Sequence, residues 1–216
     1  MKRYLPLGII LGVLVLAVAA VALLFHIRRP SQPKFALGKP GAQPPHMRGL
    51  ASAPVALEEF GDFECLPCFL LWPILKNVEH DYGERLSVTF RQHPLPQHHH
   101  AREAALAAEA AGLQGRFWEM HDWLYQNRSV WVRALDVRPF FTSYASYLGL
   151  NVERFKKDID GAEVTRRIAD DEERGSSFKI DRTPVIFING QLMSFSSSPE
   201  EDLRNGIDAA LGVRKK

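Results

Sequence analysis

Apolar and polar positions divide the chain into three stretches. From Leu5 to Phe25 no charged residue interrupts an apolar run of 21 residues, which as a helix spans about 30 Å, the thickness of a bilayer's hydrocarbon core. This predicts a membrane-spanning anchor over 1–29. Residues 30–54 show no apolar period and carry Pro30, Pro33, Pro40, Pro44, Pro45 and Pro54 with Gly38, Gly41 and Gly49, the composition of a semi-rigid tether, assigned to 30–52. Regular patterning begins after that. Val55 to Phe60 reads as a strand, Leu66 to Asp81 as a helix with one broad apolar face, and Leu86 to Gln92 as an alternating strand closed by His93-Pro94-Leu95-Pro96. Two strands joined by a helix predict a parallel, right-handed βαβ unit.

Helical periods fill the middle of the chain, over 101–111, 116–127, 140–148, a short helix capped by Asn151, and 162–174. They read as an insertion over about 97–178. The run Val185-Ile186-Phe187-Ile188, the turn Asn189-Gly190 and the stretch Gln191 to Phe195 predict an antiparallel hairpin. Ser198-Pro199-Glu200-Glu201 reads as a cap, a first-turn proline and a Glu that reaches back to the cap. Leu203, Ile207 and Leu211 give the last helix its inner face. The fold class is therefore α/β, with one compact domain over 53–216.

Charge narrows the function. Residues 1–50 hold seven of the 27 Lys/Arg and no acid, which leaves 20 bases against 25 acids beyond. A folded part with net negative charge lacks the cationic face that phosphates require, so no nucleic-acid partner is expected. Cations flank the apolar run on both sides, so the charge rule does not orient it. Ala17-Val18-Ala19 resembles a cleavage site, but the run continues past it, and an uncleaved anchor is expected. The aromatic set Phe117, Trp118, Trp123, Trp131, Phe140, Phe141, Tyr144 and Tyr147 reads as helix-packing core.

The chemistry gathers at Cys65-Leu66-Pro67-Cys68, which contains both cysteines of the chain. Cysteines three apart on a first helical turn can form a disulfide with little movement, and the helix terminus favours a thiolate. Pro67 is tolerated there because a first-turn N–H is unpaired anyway, whereas Pro73 is expected to kink the helix. A zinc site normally needs four ligands, and only His98, His99 and His100 could complete one; they read instead as a solvated helix start. An inert disulfide around so short a loop stabilises little. A redox dithiol is the reading adopted, with no metal and no other cofactor.

The order of elements resembles the thioredoxin fold with the inserted helical domain of DsbA-like disulfide oxidoreductases. The resemblance rests on Phe63-x-Cys65-x-x-Cys68, on Phe117-Trp118-Glu119-Met120-His121-Asp122 after Gln114-Gly115, and on Thr183-Pro184-Val185 before Asn189-Gly190. It implies that Cys65 is an exposed nucleophile and Cys68 a buried resolving thiol. Thr183 and Pro184 then form a cis-proline loop that aligns a substrate strand beside Leu66 and Pro67; the competing reading is an ordinary trans proline starting a strand. Glu59, six residues before Cys65, corresponds to the acid that exchanges a proton with the buried cysteine, unless Glu58 faces inward and Glu59 is solvated. The resemblance implies thiol–disulfide exchange, in the oxidase direction, on exported proteins that contain cysteines. It adds a membrane or soluble redox partner and places the catalytic domain outside the cell membrane, periplasmic or extracellular. Leu66-Pro67 lacks the histidine found between the cysteines of strongly oxidising relatives, so an intermediate potential is expected. The alternatives are a reductase or isomerase of the same fold, a peptide-binding chaperone module, and a metal-handling protein.

Overall fold

A computed structural model describes residues 12–18 and 38–213. Two compact units are distinguished, Met1–Gln32 and Pro33–Lys216. In the first, residues 12–18 form a helix, α1, with exposed side chains. Among the described residues no helix is long and apolar enough to cross a membrane, and most of the expected span from Leu5 to Phe25 lies outside them.

The second unit is built on a five-stranded sheet in the order β1-β3-β2-β4-β5. Strand β2 (Val55–Gly61) runs parallel to β3 (Leu86–Gln92), with α2 (Leu66–Tyr82) as the crossover. Strand β4 (Val185–Ile188) pairs antiparallel with β2 and carries the short β5 (Gln191–Leu192) on its outer edge. The hairpin is present, but β5 is shorter than the expected 191–195. Helices α3 (Ala101–Gly112), α4 (Phe117–Gln126), α5 (Arg128–Trp131), α6 (Arg138–Tyr147), α7 (Val152–Asp158) and α8 (Ala162–Ser177) form the insertion, and α9 (Pro199–Ala210) closes the chain.

Every residue of β2 and β3 is buried, including the polar positions of β3 that the alternating pattern assigned to solvent. The reason is helices on both faces. Val55, Leu57, Leu86 and Val88 pack with Leu71, Leu75 and Val78 of α2 and with Leu203 and Ile207 of α9. The alternate residues form a charged layer with α8: Glu58 Oε1 accepts from Arg91 Nε of β3 and Arg174 Nε of α8, each at 2.8 Å. A second core fills the insertion, where Met120, Leu124, Trp131, Phe141 and Ile168 are buried. The aromatic core is as expected except at Tyr147, which is exposed.

The tether expected over 30–52 does not extend to residue 52. His46–Arg48 form β1, antiparallel to β3. Buried arginines hold the segment before it: Arg91 Nη1 donates to Ala42 O at 3.0 Å, Arg174 Nη1 to Lys39 O at 2.8 Å, and Arg167 to Gln43 O and Pro44 O at 3.1 and 3.0 Å. Prolines and glycines hid the strand, because the segment's order comes from partners far along the chain. Two local expectations also change. Ser198 caps α9 without a side-chain hydrogen bond; instead Asp202 accepts from the Ser196 amide and hydroxyl at 2.6 and 2.8 Å. The Asn151 cap is made, accepting from the Arg154 amide at 2.9 Å.

Candidate active site

The site starts where β2 ends. Asp62 turns the chain into α2: its Oδ1 accepts from the amides of Glu64 at 2.7 Å and Cys65 at 3.3 Å, and its carbonyl accepts from the Cys65 amide at 3.1 Å. Cys65 is the N-cap of α2, Pro67 sits in the first turn, and the helix continues past Pro73 to Tyr82. Both cysteines are free thiols. They belong to the core of the insertion together with Phe63 and Phe90, whereas Leu71, Leu75 and Val78 further along α2 belong to the other core. The dithiol therefore lies at the seam between sheet and insertion.

Cys65 is not the exposed residue that the family resemblance implied. It is 4% exposed, against 0% for Cys68, because the loop before β4 lies against it. Its Sγ donates to the Thr183 carbonyl at 3.3 Å, and the Thr183–Pro184 bond is cis. The residues open to solvent are Leu66, 52% exposed, and Leu70, 58% exposed. With Pro67, Ile74, Pro184 and Phe195, Leu70 lines an apolar groove of about 270 Å³. A larger cavity of about 500 Å³ also reaches Pro184, along Phe178 to Arg182 and β5; neither thiol lines the groove or this cavity.

The two sulfurs are electrostatically unequal. The Cys65 thiol is lowered from 9.0 to about 6: the hydrogen bond from the Cys68 thiol favours its thiolate most, the Thr183 hydroxyl and the Cys68 amide add to it, and burial and the Asp62 charge oppose them. That hydroxyl is buried with no hydrogen-bond partner among the described residues while the thiol keeps its proton. Cys68 moves the other way, pushed up by burial, by its bond to Cys65 and by the Glu59 charge. One thiol is thus a ready nucleophile and the other a reluctant one.

Glu59 lies on the face of β2 that carries Val55 and Leu57, turned towards α2 and next to Phe90 in the sheet register. Burial first, then the charges of Glu79 and Cys65, raise its carboxyl from 4.5 to about 8. Glu58 points to the opposite face and is neutralised by Arg91 and Arg174. Tyr125 completes the surroundings, its hydroxyl donating to Asp62 O at 3.4 Å; burial and the nearby charges of Cys68 and Glu59 push that hydroxyl up.

Sequence reasoning passed over Asp62, Tyr125 and Arg128, whose Nε donates to Glu64 O at 2.8 Å. Asp62 carried a signal, an Asx residue in the turn that leads from a strand into a helix. Tyr125 and Arg128 carried none, since they reach the site from the insertion. The histidines are not a solvated helix start: His98 Nδ1 lies 2.7 Å from Asp62 Oδ2, and His100 Nε2 donates to Ala134 O at 2.9 Å. Of the three, only His99 is exposed.

The family described as Thioredoxin matches residues 42–209. The chain belongs to this family. Its matched stretch takes in β1 as well as the dithiol and the Thr183–Pro184 loop. BdbD from Bacillus subtilis, in its oxidised form, superposes with a TM-score of 0.71 over 83% of this chain and 99% of that one, at 21% identity. The alpha-DsbA1 protein of Wolbachia pipientis superposes at 0.68 over 80% and 94%, with 17% identity. At these identities the likeness establishes a thioredoxin fold with a helical insertion. A Na(+)/H(+) antiporter NhaA 1 of Mycolicibacterium gilvum is 36% identical over 149 residues, which are 68% of this chain and 23% of that protein. The thioredoxin chain thus spans about a quarter of the length of that curated relative.

Proposed function

We propose that this protein is a thiol–disulfide oxidoreductase that donates its Cys65–Cys68 disulfide to substrate proteins. The observation that carries the reading is the split between the thiols, one lowered to about 6 and the other raised, beside an apolar groove bordered by a cis-proline loop. A substrate thiolate attacks Cys65 Sγ, the S–S bond breaks, and its electron pair leaves on Cys68. Glu59 is protonated at neutral pH, with its carboxyl raised to about 8, and it supplies the proton that Cys68 takes up. A second substrate thiolate then attacks the substrate sulfur of the mixed disulfide and expels Cys65 as its stabilised thiolate. Two electrons have moved to the enzyme, and a redox partner carrying a disulfide or quinone takes them back. Thr183 and Pro184 offer a backbone edge to the substrate strand, and Leu66, Pro67 and Leu70 an apolar surface.

We further place the thioredoxin unit outside the membrane, held by the apolar run 5–25, since disulfide donation needs an oxidising compartment. Carbonate extraction of membranes, comparing the full chain with one that starts at residue 38, tests the anchor. The catalytic reading is tested by equilibrating the purified protein with glutathione buffers. A potential above thioredoxin's, about −270 mV, is expected; a value at or below it turns the reading to a reductase. Cys68→Ala should trap mixed disulfides, and Cys65→Ala should abolish exchange.

A further inference from the structure

We propose that Asp62 and His98 act as a positioning pair that sets the thiolate energy of Cys65, and so the redox poise of the dithiol. The proposal deepens the oxidoreductase reading and rests on it.

The Asp62 side chain is completely buried, and both its oxygens are occupied. Oδ1 takes the amides of Glu64 and Cys65, and Oδ2 takes the Leu95 amide at 2.8 Å and His98 Nδ1 at 2.7 Å. Three amides and one imidazole fix this carboxylate in place. It therefore stands at the start of α2, where the unpaired N–H groups and the helix dipole favour an anion. The Cys65 thiolate draws on the same field. Two anions compete for one helix terminus, and the Asp62 charge opposes ionisation of Cys65.

His98 decides how strongly. It comes from the loop after β3 and is the only ionisable side chain bonded to the Asp62 carboxylate among the described residues. By donating to Oδ2 it draws the carboxylate charge away from Cys65 and holds Oδ1 against the two amides. Of the other ionisable groups around Asp62, His93 feels its charge without a bond to it and is held down by burial, and three more have partners of their own. Tyr125 donates to the Asp62 carbonyl, Glu64 Oε2 accepts the His100 amide at 2.6 Å, and Arg128 is held by the Glu64 carbonyl. Glu59 faces the dithiol from β2. His98 is thus a positioning residue, acting on the sulfur through Asp62.

Opposite substitutions should move the sulfur in opposite directions, which a purely structural pair would not do. In His98→Ala, Asp62 keeps three amide donors and its charge but loses the donor that draws that charge outward, so Cys65 should ionise at higher pH. The glutathione equilibrium should then shift towards oxidised enzyme by roughly three- to ten-fold, which is ~15–30 mV for a two-electron couple. Asp62→Asn removes the competing anion and should shift both quantities the other way. His98→Asn, which restores a donor near the Nδ1 position, should recover part of the loss.

The experiment uses the full chain, titrating the Cys65 thiolate by its ultraviolet absorbance and measuring the glutathione equilibrium alongside. Shifts of the same sign in His98→Ala and Asp62→Asn would overturn the proposal. So would an unchanged thiolate titration in His98→Ala, whatever its melting temperature. The thiolate titration needs no exchange activity, so a protein that fails to exchange with glutathione would refute the oxidoreductase reading and still report on the pair.

Discussion

Successive side chains on a strand point to opposite faces, and on β2 this sends two adjacent carboxylates into different environments. Glu58 meets two guanidinium groups and is fully paired, whereas Glu59 meets the dithiol and is held largely protonated at neutral pH. The stability consequence follows from linkage. A carboxyl raised from 4.5 to about 8 in the folded state leaves the folded form at its most stable below pH 4.5. That contribution is then lost as pH climbs towards 8, because the unfolded chain releases the proton first. Glu59→Gln removes the loss. It should stabilise the protein at pH 7 by on the order of 3 kcal/mol and flatten the pH dependence between those limits, while slowing the step in which Cys68 leaves. Urea melts at several pH values check the first part and single-turnover mixing the second; an unchanged pH dependence of stability would mean that Glu59 ionises freely. Of the two acids, Glu59, which the family resemblance singled out, is the one whose charge reaches the Cys68 thiol. The sequence could not show that Cys65 is covered, because the covering residue, Thr183, lies 118 positions away.

At the scale of elements, the local signals predicted each helix of the insertion except α5, only four residues long, and both strands of the βαβ unit. Strand β1 was not legible. It is three residues long in a proline-rich stretch, and it is ordered by Arg91, Arg167 and Arg174, whose own positions in the sequence look like solvated charges. These arginines fasten the segment before β1 to α8 and β3. Arg167 Nε donates to Glu109 Oε2 at 2.6 Å while its other nitrogens hold two carbonyls. Arg167→Met leaves Glu109, completely buried, with His46 and Gln92 but without its guanidinium partner. The expected cost is about 3–5 kcal/mol, the range for breaking one side of a buried ion pair. The exposed pair between Arg204 and Glu200 on α9 should matter little, and Glu200→Gln should leave the melting curve in place. A loss in Arg167→Met no larger than in Glu200→Gln would show that the arginine straps do not hold the fold.

At the scale of the molecule, two cores meet at the dithiol, and β1 helps to keep them together. Arg48 at its end donates to Asp122 Oδ2 of α4 at 2.7 Å. Asp122 Oδ1 in turn accepts from Trp72 Nε1 of α2 at 3.0 Å. The insertion, the edge strand and the cysteine helix thus share one carboxylate a few turns from the active site. A chain that begins at residue 53, where composition alone places the domain boundary, lacks this tie, the β1 ladder and the four carbonyls that the arginines hold. Each lost hydrogen bond is worth about 0.5–1.5 kcal/mol, and the buried guanidinium groups would be left without acceptors. The sum is comparable with the ~5–15 kcal/mol that holds a typical domain together. Residues 38–213 are therefore expected to melt cooperatively and to keep exchange activity, whereas 53–213 should lose the cooperative transition and the low thiolate titration of Cys65 together. Differential scanning calorimetry of the two polypeptides decides this. Transitions within a few degrees of each other would mean that β1 and its straps lie on the fold without supporting it.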